Sequence, residues 1–281
     1  MQKYNIIGDI HGHAQELKKL LKSLGYLENE NGFHHPMNHQ TLFVGDLINR
    51  GPDSPLVLEI VEKMVLNKQA KAVLGNHEFR MIQQYLLDPD ATDSRIVQFV
   101  PWIQSLPLFL DLPELRVVHA AWHIPSIEIL KSKTADDESF IKSTLEKNST
   151  LHKAVGAILQ GIKIPVPPEL RYFDRFGIRR KKARVRWWEK NKLKFCGKDF
   201  LPCSKELEKK SFDAHPDLST VDYPRSHKPV FFGHYCLPVS EPKIYGNLVC
   251  VDGCVTCEKV LWAYHFDGTK ITTSSLVSVK V

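Results

Sequence analysis

Along the first 80 positions, short apolar runs alternate with stretches in which apolar residues recur every three or four positions. The runs predict strands at 4–7, 41–44 and 71–74. Each run precedes a predicted amphipathic helix, at 17–24, 54–67 and 77–87. Because a strand–helix–strand succession is typical of parallel pairing through right-handed crossovers, the sequence predicts an α/β fold built on a parallel sheet.

The pattern changes in the second half of the chain. Residues 116–118 predict a fourth strand, and 136–161 predict helices. After residue 226, alternating runs predict antiparallel strands at 230–232, 248–251, 260–266 and 271–279. We therefore expect one domain over 1–281, of mixed α/β (α+β) class, with an insertion or cap at about 126–226.

Positive charge is concentrated in one segment. The chain has a formal net charge of +6, whereas residues 169–198 alone hold twelve Lys or Arg and three Asp or Glu. The rest of the chain is therefore net negative, which argues against a protein that generally coats nucleic acid. The segment also contains Trp187 and Trp188. Three interpretations stay open: a nucleic-acid patch, a solvated cap with inward-packed indoles, or a positive rim that attracts polyanionic substrates, the last being preferred.

Cysteine usage and hydropathy bear on the compartment. Six cysteines in 281 residues do not make a disulfide framework, so we expect reduced thiols. Cys254 and Cys257 have zinc-like spacing, but a second ligand pair would have to come from Cys196 and Cys203 or from nearby histidines, and neither spacing is compelling. Small apolar side chains in strands are the preferred interpretation. No apolar run reaches the ~20 residues that cross a membrane. With no signal-peptide pattern at the N-terminus, the sequence predicts a cytoplasmic protein without a membrane partner.

Four short motifs place potential metal ligands beside glycine at predicted strand ends. They are Gly8-Asp9-Ile10-His11-Gly12, Gly45-Asp46-Leu47-Ile48-Asn49-Arg50-Gly51, Gly75-Asn76-His77-Glu78 and Gly233-His234. This mixed set of oxygen and nitrogen donors suits Mn, Fe, Zn or Co. Asp9 and His11 would face the same side of an extended backbone, and a carboxylate such as Asp46 can bridge two ions. Two ions roughly 3.5–4 Å apart favour in-line displacement at phosphorus.

The order and spelling of these motifs resemble the calcineurin-like metallophosphoesterases. Within them, the resemblance is to small bacterial members of the phosphoprotein phosphatase branch, beside diadenosine-tetraphosphatase-like and serine/threonine-phosphatase-like enzymes. It covers about 1–123 well and 228–268 more loosely. It implies mixed β-sheets that form a sandwich flanked by helices, and two divalent metal ions, Mn first, with Fe, Zn, Co or Mg as alternatives. The metal ligands that it implies are Asp9, His11, Asp46, Asn76, His119 and His234.

The resemblance also implies catalytic roles. A hydroxide that bridges the metals attacks phosphorus, His77 protonates the leaving oxygen, and Arg50 binds phosphate oxygens. Asn49 stands where many family members have an Asp that orients the catalytic His. We therefore expect a lower pKa for His77 and dependence on good leaving groups. A second phosphate-binding Arg is expected before the last motif. Arg184 and Arg186 are the candidates, with an exposed basic strand as the alternative.

The predicted reaction is the hydrolysis of phosphate monoesters or phosphoanhydrides. Three substrate classes stay open, because the motifs are common to all of them: a phosphoprotein, a dinucleoside polyphosphate or related nucleotide, and an end-phosphorylated nucleic acid. The alternative is a non-catalytic protein that binds nucleic acid or an acidic partner through residues 169–198. It ranks lower because the chain keeps all six predicted metal ligands. The oligomeric state stays open.

Overall fold

The computed structural model describes residues 2–165, 168, 171–173, 179–189, 194–196, 200–201, 211–213, 223–241 and 243–281. Cys203 and parts of the basic segment 169–198 lie outside the described residues. The strands are β1 (Tyr4–Ile7), β2 (Leu27–Asn29), β3 (Gly32–His34), β4 (Gln40–Phe43), β5 (Ala70–Ala72), β6 (Phe109–Asp111), β7 (Arg116–Val118), β8 (Lys163–Pro165), β9 (Tyr172–Phe173), β10 (Arg179–Arg180), β11 (Lys182–Val185), β12 (Lys194–Cys196), β13 (Phe200–Leu201), β14 (Ser211–Asp213), β15 (Val230–Phe232), β16 (Ile244–Tyr245), β17 (Leu248–Cys250), β18 (Val260–Phe266) and β19 (Leu276–Lys280). The helices are α1 (Ala14–Ser23), α2 (Ser54–Leu66), α3 (Asn76–Leu87), α4 (Val100–Gln104), α5 (Ile124–Leu130), α6 (Glu138–Leu145) and α7 (Thr150–Gln160).

Two five-stranded mixed sheets form the body. One has the order β19-β18-β1-β4-β5, and the other has the order β16-β17-β15-β7-β6. The pairs β1–β4 and β4–β5 are parallel, as predicted from the strand–helix–strand pattern. An apolar cluster drawn from both sheets, including Ile6, Val117 and Phe231, is buried between them. A larger cluster packs helices against the sheets. The predicted sandwich of mixed sheets flanked by helices is confirmed.

The orientation of the late strands differs from the prediction. We expected 230–232 and 248–251 to pair in antiparallel fashion, but β15 is parallel to both β7 and β17. The reason is that the chain crosses back through residues 233–247 before it re-enters the sheet in the same direction. All three residues of β15 and all three of β17 are buried, which is typical of interior parallel strands. The predicted antiparallel pairing holds for β18 with β19.

The first part of the expected insertion packs on the body. Helix α6 lies against α3, where the Phe79 and Phe140 rings meet edge to face at 6.2 Å and the Gln83 amide donates to Thr144 Oγ1 at 2.9 Å. Helices α6 and α7 confirm the helical prediction for 136–161, with a break at 146–149. Within the described residues, no helix is both long and apolar enough to cross a membrane.

The carboxyl ends of the parallel strands converge on one edge of the sandwich. The chain leaves β1, β4, β5, β7 and β15 directly into the predicted ligand motifs. Open α/β sheets build their sites at such strand ends. The fold therefore brings together residues that lie up to 225 positions apart in the sequence, as with Asp9 and His234.

Candidate metal centre

The Asp46 carboxylate lies at the centre of the predicted ligand set. Its Oδ2 is 3.6 Å from His11 Nε2, and its Oδ1 is 3.4 Å from His119 Nε2. Two groups that could each hold an ion share this residue: His11, Asp46 and His77, and Asp46, His119 and His234. Within each group the potential ligand atoms lie within 4.8 Å of one another. A carboxylate with one oxygen toward each group has the position of a bridging ligand.

The imidazoles of His11 and His119 are oriented by backbone carbonyls. His11 Nδ1 lies 3.1 Å from the Ile48 carbonyl oxygen, and His119 Nδ1 lies 2.8 Å from that of Val44. An Nδ1–H that donates to a carbonyl leaves the Nε2 lone pair available for a metal, the arrangement that orients most ligating histidines. Asn76 Oδ1 lies 3.2 Å from His119 Nε2, so the amide oxygen faces the same space.

Asp9 and His234 close the other side of the centre. The His234 backbone N–H donates to both carboxylate oxygens of Asp9, at 3.1 and 3.0 Å. The His234 Nε2 atom is buried and has no hydrogen-bond partner in the described part of the chain. Burial of an unsatisfied imidazole nitrogen is costly. It fits a ligand atom whose partner is a metal ion, and the donor set as a whole fits two such ions.

Asp46 and His119 shift each other's pKa in opposite directions. Burial disfavours the charged form of each, but their mutual attraction is stronger. It holds the pKa of Asp46 well below its usual range and raises the pKa of His119 to about 10. The surroundings of Asp46 therefore favour a positive charge at this position, which is what a divalent ion supplies.

Glu78 is a second buried carboxylate beside the centre, and the sequence analysis gave it no role. Its Oε2 accepts from the backbone N–H groups of Asp46 and Gly75, at 2.8 and 2.9 Å. Its Oε1 accepts from those of Leu47 and Ile48, at 2.9 and 3.2 Å. Burial, followed by the nearby Asp46 charge, raises the pKa of Glu78 to about 7. Glu78 therefore ties the loop after β4 to the start of α3.

Several site residues have left-handed backbone conformations, which are uncommon for residues other than glycine. The φ angles are +47° at His11, +51° at Asp46, +69° at Asn49, +67° at Arg50 and +74° at His234. The expectation that Asp9 and His11 face one side of an extended strand is therefore wrong, since the chain turns after β1. Such conformations persist where surrounding contacts fix them, commonly at functional sites.

His77 lies at the mouth of the centre, with Nε2 3.9 Å from Asp46 Oδ2. The Asn49 amide N–H donates to His77 Nδ1 at 2.9 Å. As a donor, Asn49 places the proton of neutral His77 on Nε2, the atom that faces Asp46. Burial, together with the positive charges of Arg50 and Arg80, lowers the pKa of His77 although Asp46 raises it. Arg50 itself is exposed beside His77.

The structure separates the two candidate phosphate-binding arginines. Arg186 forms a bidentate ion pair with Glu241, at 2.7 and 3.1 Å, so both of its terminal nitrogens already donate to a carboxylate. Arg184 is close enough to the centre for its charge to lower the pKa of His234, after burial. Its cross-strand partner is Lys163 on β8, which the sequence analysis missed. Burial, followed by the charge of Arg184, lowers the pKa of Lys163 to about 8.

Asp252 and a disulfide lie behind the His234 loop. Asp252 is 3% exposed and accepts from the backbone N–H groups of Cys236 and Cys254. Its position directly after a buried strand matches the pattern of the other motifs, a signal that could have identified it. Cys236 and Cys254 are disulfide-bonded, so the prediction of reduced thiols is wrong for this pair. Sequence reasoning missed it because 18 residues and a strand crossover separate the two.

The two tryptophans of the basic segment are in the core. Trp187 is 2% exposed and donates from Nε1 to the Ala120 carbonyl oxygen at 3.0 Å. Trp188 packs on Tyr235 and Phe232. Neither indole is available for stacking on bases, so this observation favours inward packing over a nucleic-acid patch.

Comparison with known proteins bears on the same site. Residues 3–234 match the family model described as calcineurin-like phosphoesterase. The asymmetrical bis(5'-nucleosyl)-tetraphosphatase PrpE of Oceanobacillus iheyensis is 30% identical over 158 residues, 50% of this chain and 63% of that protein. PrpE of Bacillus cereus is 45% identical over 85 residues, 30% of this chain and 35% of that protein. The chain thus covers less than two thirds of either relative. A protein serine/threonine phosphatase structure from Saccharomyces cerevisiae has a similar fold, with a TM-score of 0.53 at 15% identity over 99% of this chain and 79% of that chain.

Proposed function

Because the chain belongs to the calcineurin-like phosphoesterase family, as its motifs predicted, we propose that it is a dinuclear metal-dependent hydrolase of phosphoanhydrides in nucleotides, with dinucleoside polyphosphates as the substrate class. Manganese as the native metal and the cytoplasm as the location are part of this proposal. They rest on the mixed nitrogen and oxygen donors and on the sequence pattern.

The observation that carries the proposal is the shared position of Asp46 between two groups of ligands. In this proposal, Asp9, His11 and Asp46 would hold one ion, and His77 of the first group serves as the acid instead of a ligand. Asp46, Asn76, His119 and His234 would hold the other ion. When bound, two divalent ions would lower the pKa of a coordinated water and offset the negative charge of the phosphate oxygens. The buried, partnerless Nε2 of His234 supports the second site independently of the motifs.

The remaining site residues bind substrate and move a proton. His77 holds a proton on Nε2 beside Asp46, where it can be donated to the leaving oxygen. Asn49 fixes that tautomer. Arg50 is exposed at the same mouth, and its planar guanidinium suits the oxygens of a phosphoryl group.

Two features support a nucleotide polyphosphate over a small monoester. Lys163 and Arg184 form a cationic pair beside His234, suited to the phosphates that follow the scissile bond. A cavity of about 360 Å³ opens beside His77 and is lined partly by Met81, Ile96 and Arg80. The lining also includes Asp93 and several uncharged polar side chains. This volume and the mixture of apolar and polar walls suit a nucleoside. The names of the tetraphosphatase relatives point to the same class.

The first test is hydrolysis by metal-stripped protein to which Mn, Mg, Zn or no metal is added. We expect Mn-dependent turnover of p-nitrophenyl phosphate and faster turnover of diadenosine tetraphosphate. Asp46→Asn should reduce both by at least about 100-fold, because the charge that serves both ion sites is lost.

A matched control is Asp267→Asn, since this exposed carboxylate lies on a distant turn and should leave turnover unchanged. Folded protein without activity on either substrate at any metal would overturn the proposal. Preference for phosphopeptides over dinucleoside tetraphosphates would overturn the substrate class alone.

A further inference from the structure

Three cysteines converge behind the metal centre. Their sulfur atoms, on Cys236, Cys254 and Cys257, lie within 4.8 Å of one another. Cys254 and Cys257 have the C-x₂-C spacing of zinc sites, and Cys236 arrives from the loop after β15. Cys236 is not among the partners that the sequence suggests for this pair. The structure places it beside them as a third thiol.

Backbone contacts hold this cluster together. The Asp252 carboxylate accepts from the backbone N–H groups of both Cys236 and Cys254. The Cys257 N–H donates to the Cys254 carbonyl at 2.9 Å, which closes the turn between them. These bonds involve no sulfur atom. The backbone that carries the three cysteines is therefore held by contacts other than the disulfide between Cys236 and Cys254.

The backbone conformations argue against simple apolar filling. Cys236 has φ +51° and Cys254 has φ +57°, left-handed conformations that a residue with a β-carbon adopts at a cost. Burial is graded: Cys254 is buried, Cys236 is half-buried and Cys257 is exposed. The cluster therefore reaches the protein surface at Cys257.

We propose that the reduced protein binds one Zn²⁺ through Cys236, Cys254 and Cys257, with water as the fourth ligand. Zn–S bonds of ~2.3 Å place the sulfurs of a tetrahedral site about 3.8 Å apart, a distance that the Cys236 and Cys254 sulfurs can take only after their disulfide is opened. A dithiol reductant opens the disulfide, passes two electrons and two protons to the sulfurs, and is itself oxidised to a disulfide. Binding of Zn²⁺ then displaces three thiol protons, because thiolates are the ligands.

The site has a structural consequence for the phosphoesterase centre. Cys236 follows His234 by two residues, and Cys254 follows Asp252 by two residues. An ion across these loops fastens the backbone that carries His234. The proposal concerns a separate site from the dinuclear centre and does not depend on the proposed substrate.

Cobalt substitution tests the site without any substrate. Metal-stripped protein is reduced with a dithiol, freed of the reductant in the absence of oxygen and titrated with Co²⁺, and thiolate-to-cobalt charge transfer is followed in the near ultraviolet. Nitrogen and oxygen ligands of the dinuclear centre do not give this absorption. We expect a band that reaches saturation by about three equivalents, because the dinuclear centre takes up to two of the added ions, that disappears when Zn²⁺ is added, and that is absent before reduction.

Three variants make the test selective. Cys257→Ser, at an exposed position, should abolish the band while circular dichroism stays unchanged. Cys250→Ala removes a buried cysteine outside the cluster and should keep the band. Asp46→Asn disrupts the dinuclear centre and should also keep it, which separates this proposal from the phosphoesterase activity. Absence of a band in reduced, folded wild-type protein, or its persistence in Cys257→Ser, would overturn the zinc site.

Discussion

His77 and Asn49 form the contact on which the proton transfer depends. The amide N–H of Asn49 donates to His77 Nδ1 at 2.9 Å and adds no charge, so His77 acts as a neutral acid through Nε2. A neutral imidazole is a poor acid. Efficient hydrolysis by such a site needs a leaving group that departs without much proton donation.

Asn49→Asp should relieve this dependence. A carboxylate accepts from Nδ1–H and favours the imidazolium, which is the stronger acid. We expect turnover of phenyl phosphate to rise about tenfold and that of p-nitrophenyl phosphate to change little, as measured over a series of substituted phenyl phosphates at saturating Mn.

The matched control is Asn148→Asp, because Asn148 is also exposed with φ +69° but lies in the loop before α7. It should leave the leaving-group dependence unchanged. An equal gain on every phosphate ester in Asn49→Asp would contradict the role given to His77.

Lys163 and Arg184 should contribute to the binding of substrates with several phosphates and contribute little to the binding of substrates with one. Replacement of either by Met removes one charge-assisted contact, typically worth ~1.5–3 kcal/mol. We expect KM for diadenosine tetraphosphate to rise about tenfold or more and KM for p-nitrophenyl phosphate to stay within about twofold. Steady-state kinetics of both substrates measure the split.

Lys182→Met is the control, since Lys182 lies on the same strand as Arg184, is exposed, and costs the same charge. A similar rise in KM for Lys182→Met would mean that general attraction of anions, not a phosphate subsite, explains the effect.

Glu78 links elements rather than single groups. It is fully buried, and its carboxylate accepts from four backbone N–H groups of the loop after β4 and of the start of α3. Glu78→Ala would leave these donors buried without partners, at ~1–3 kcal/mol each. We expect the free energy of unfolding of the metal-free protein to fall by at least ~3 kcal/mol in urea denaturation.

Glu59→Ala on α2 serves as the comparison, because Glu59 is exposed and pairs only with Lys63 one turn away. It should cost under ~0.5 kcal/mol. A loss of similar size for the two variants would contradict the anchoring role of Glu78.

Glu59 makes a contact within one helix, whereas Glu78 makes contacts between elements that are distant in the sequence. The sequence predicted features of the first kind and missed features of the second kind. The ligand motifs directly follow apolar strands, so Asp46 and His119 could be located from local pattern alone. Glu78 lies inside a recognised motif, but its four acceptor contacts depend on how two elements meet. The cluster of Cys236 with Cys254 depends on the parallel pairing of β15 and β17. The alternating pattern was interpreted as antiparallel there, although their continuous burial is the pattern of interior parallel strands.

Across the whole molecule, the convergence of strand ends concentrates buried charge. Burial and the charge of Asp252 raise the pKa of Asp9 well above its usual range, so ionised Asp9 destabilises the metal-free fold. A cation reverses this effect. If Mn is present at 100 times its Kd, binding to the native state stabilises it by ~2.7 kcal/mol, which corresponds to a rise in Tm of about 5–10 °C for a chain of this size.

Asp9→Asn should therefore stabilise the metal-free protein and destabilise the metal-bound protein, each relative to the wild type. The amide oxygen still accepts from the His234 backbone N–H, while the buried charge is gone. Without metal, we expect the variant to unfold at a higher temperature than the wild type, because its free energy of unfolding is larger by on the order of 1 kcal/mol. With Mn, the wild type should be the more stable protein, because the variant loses most of the metal-dependent rise. Calorimetry of both proteins, metal-free and with Mn, measures the crossing. A variant that is less stable than the wild type in both states would show that Asp9 serves the fold itself and not the ion.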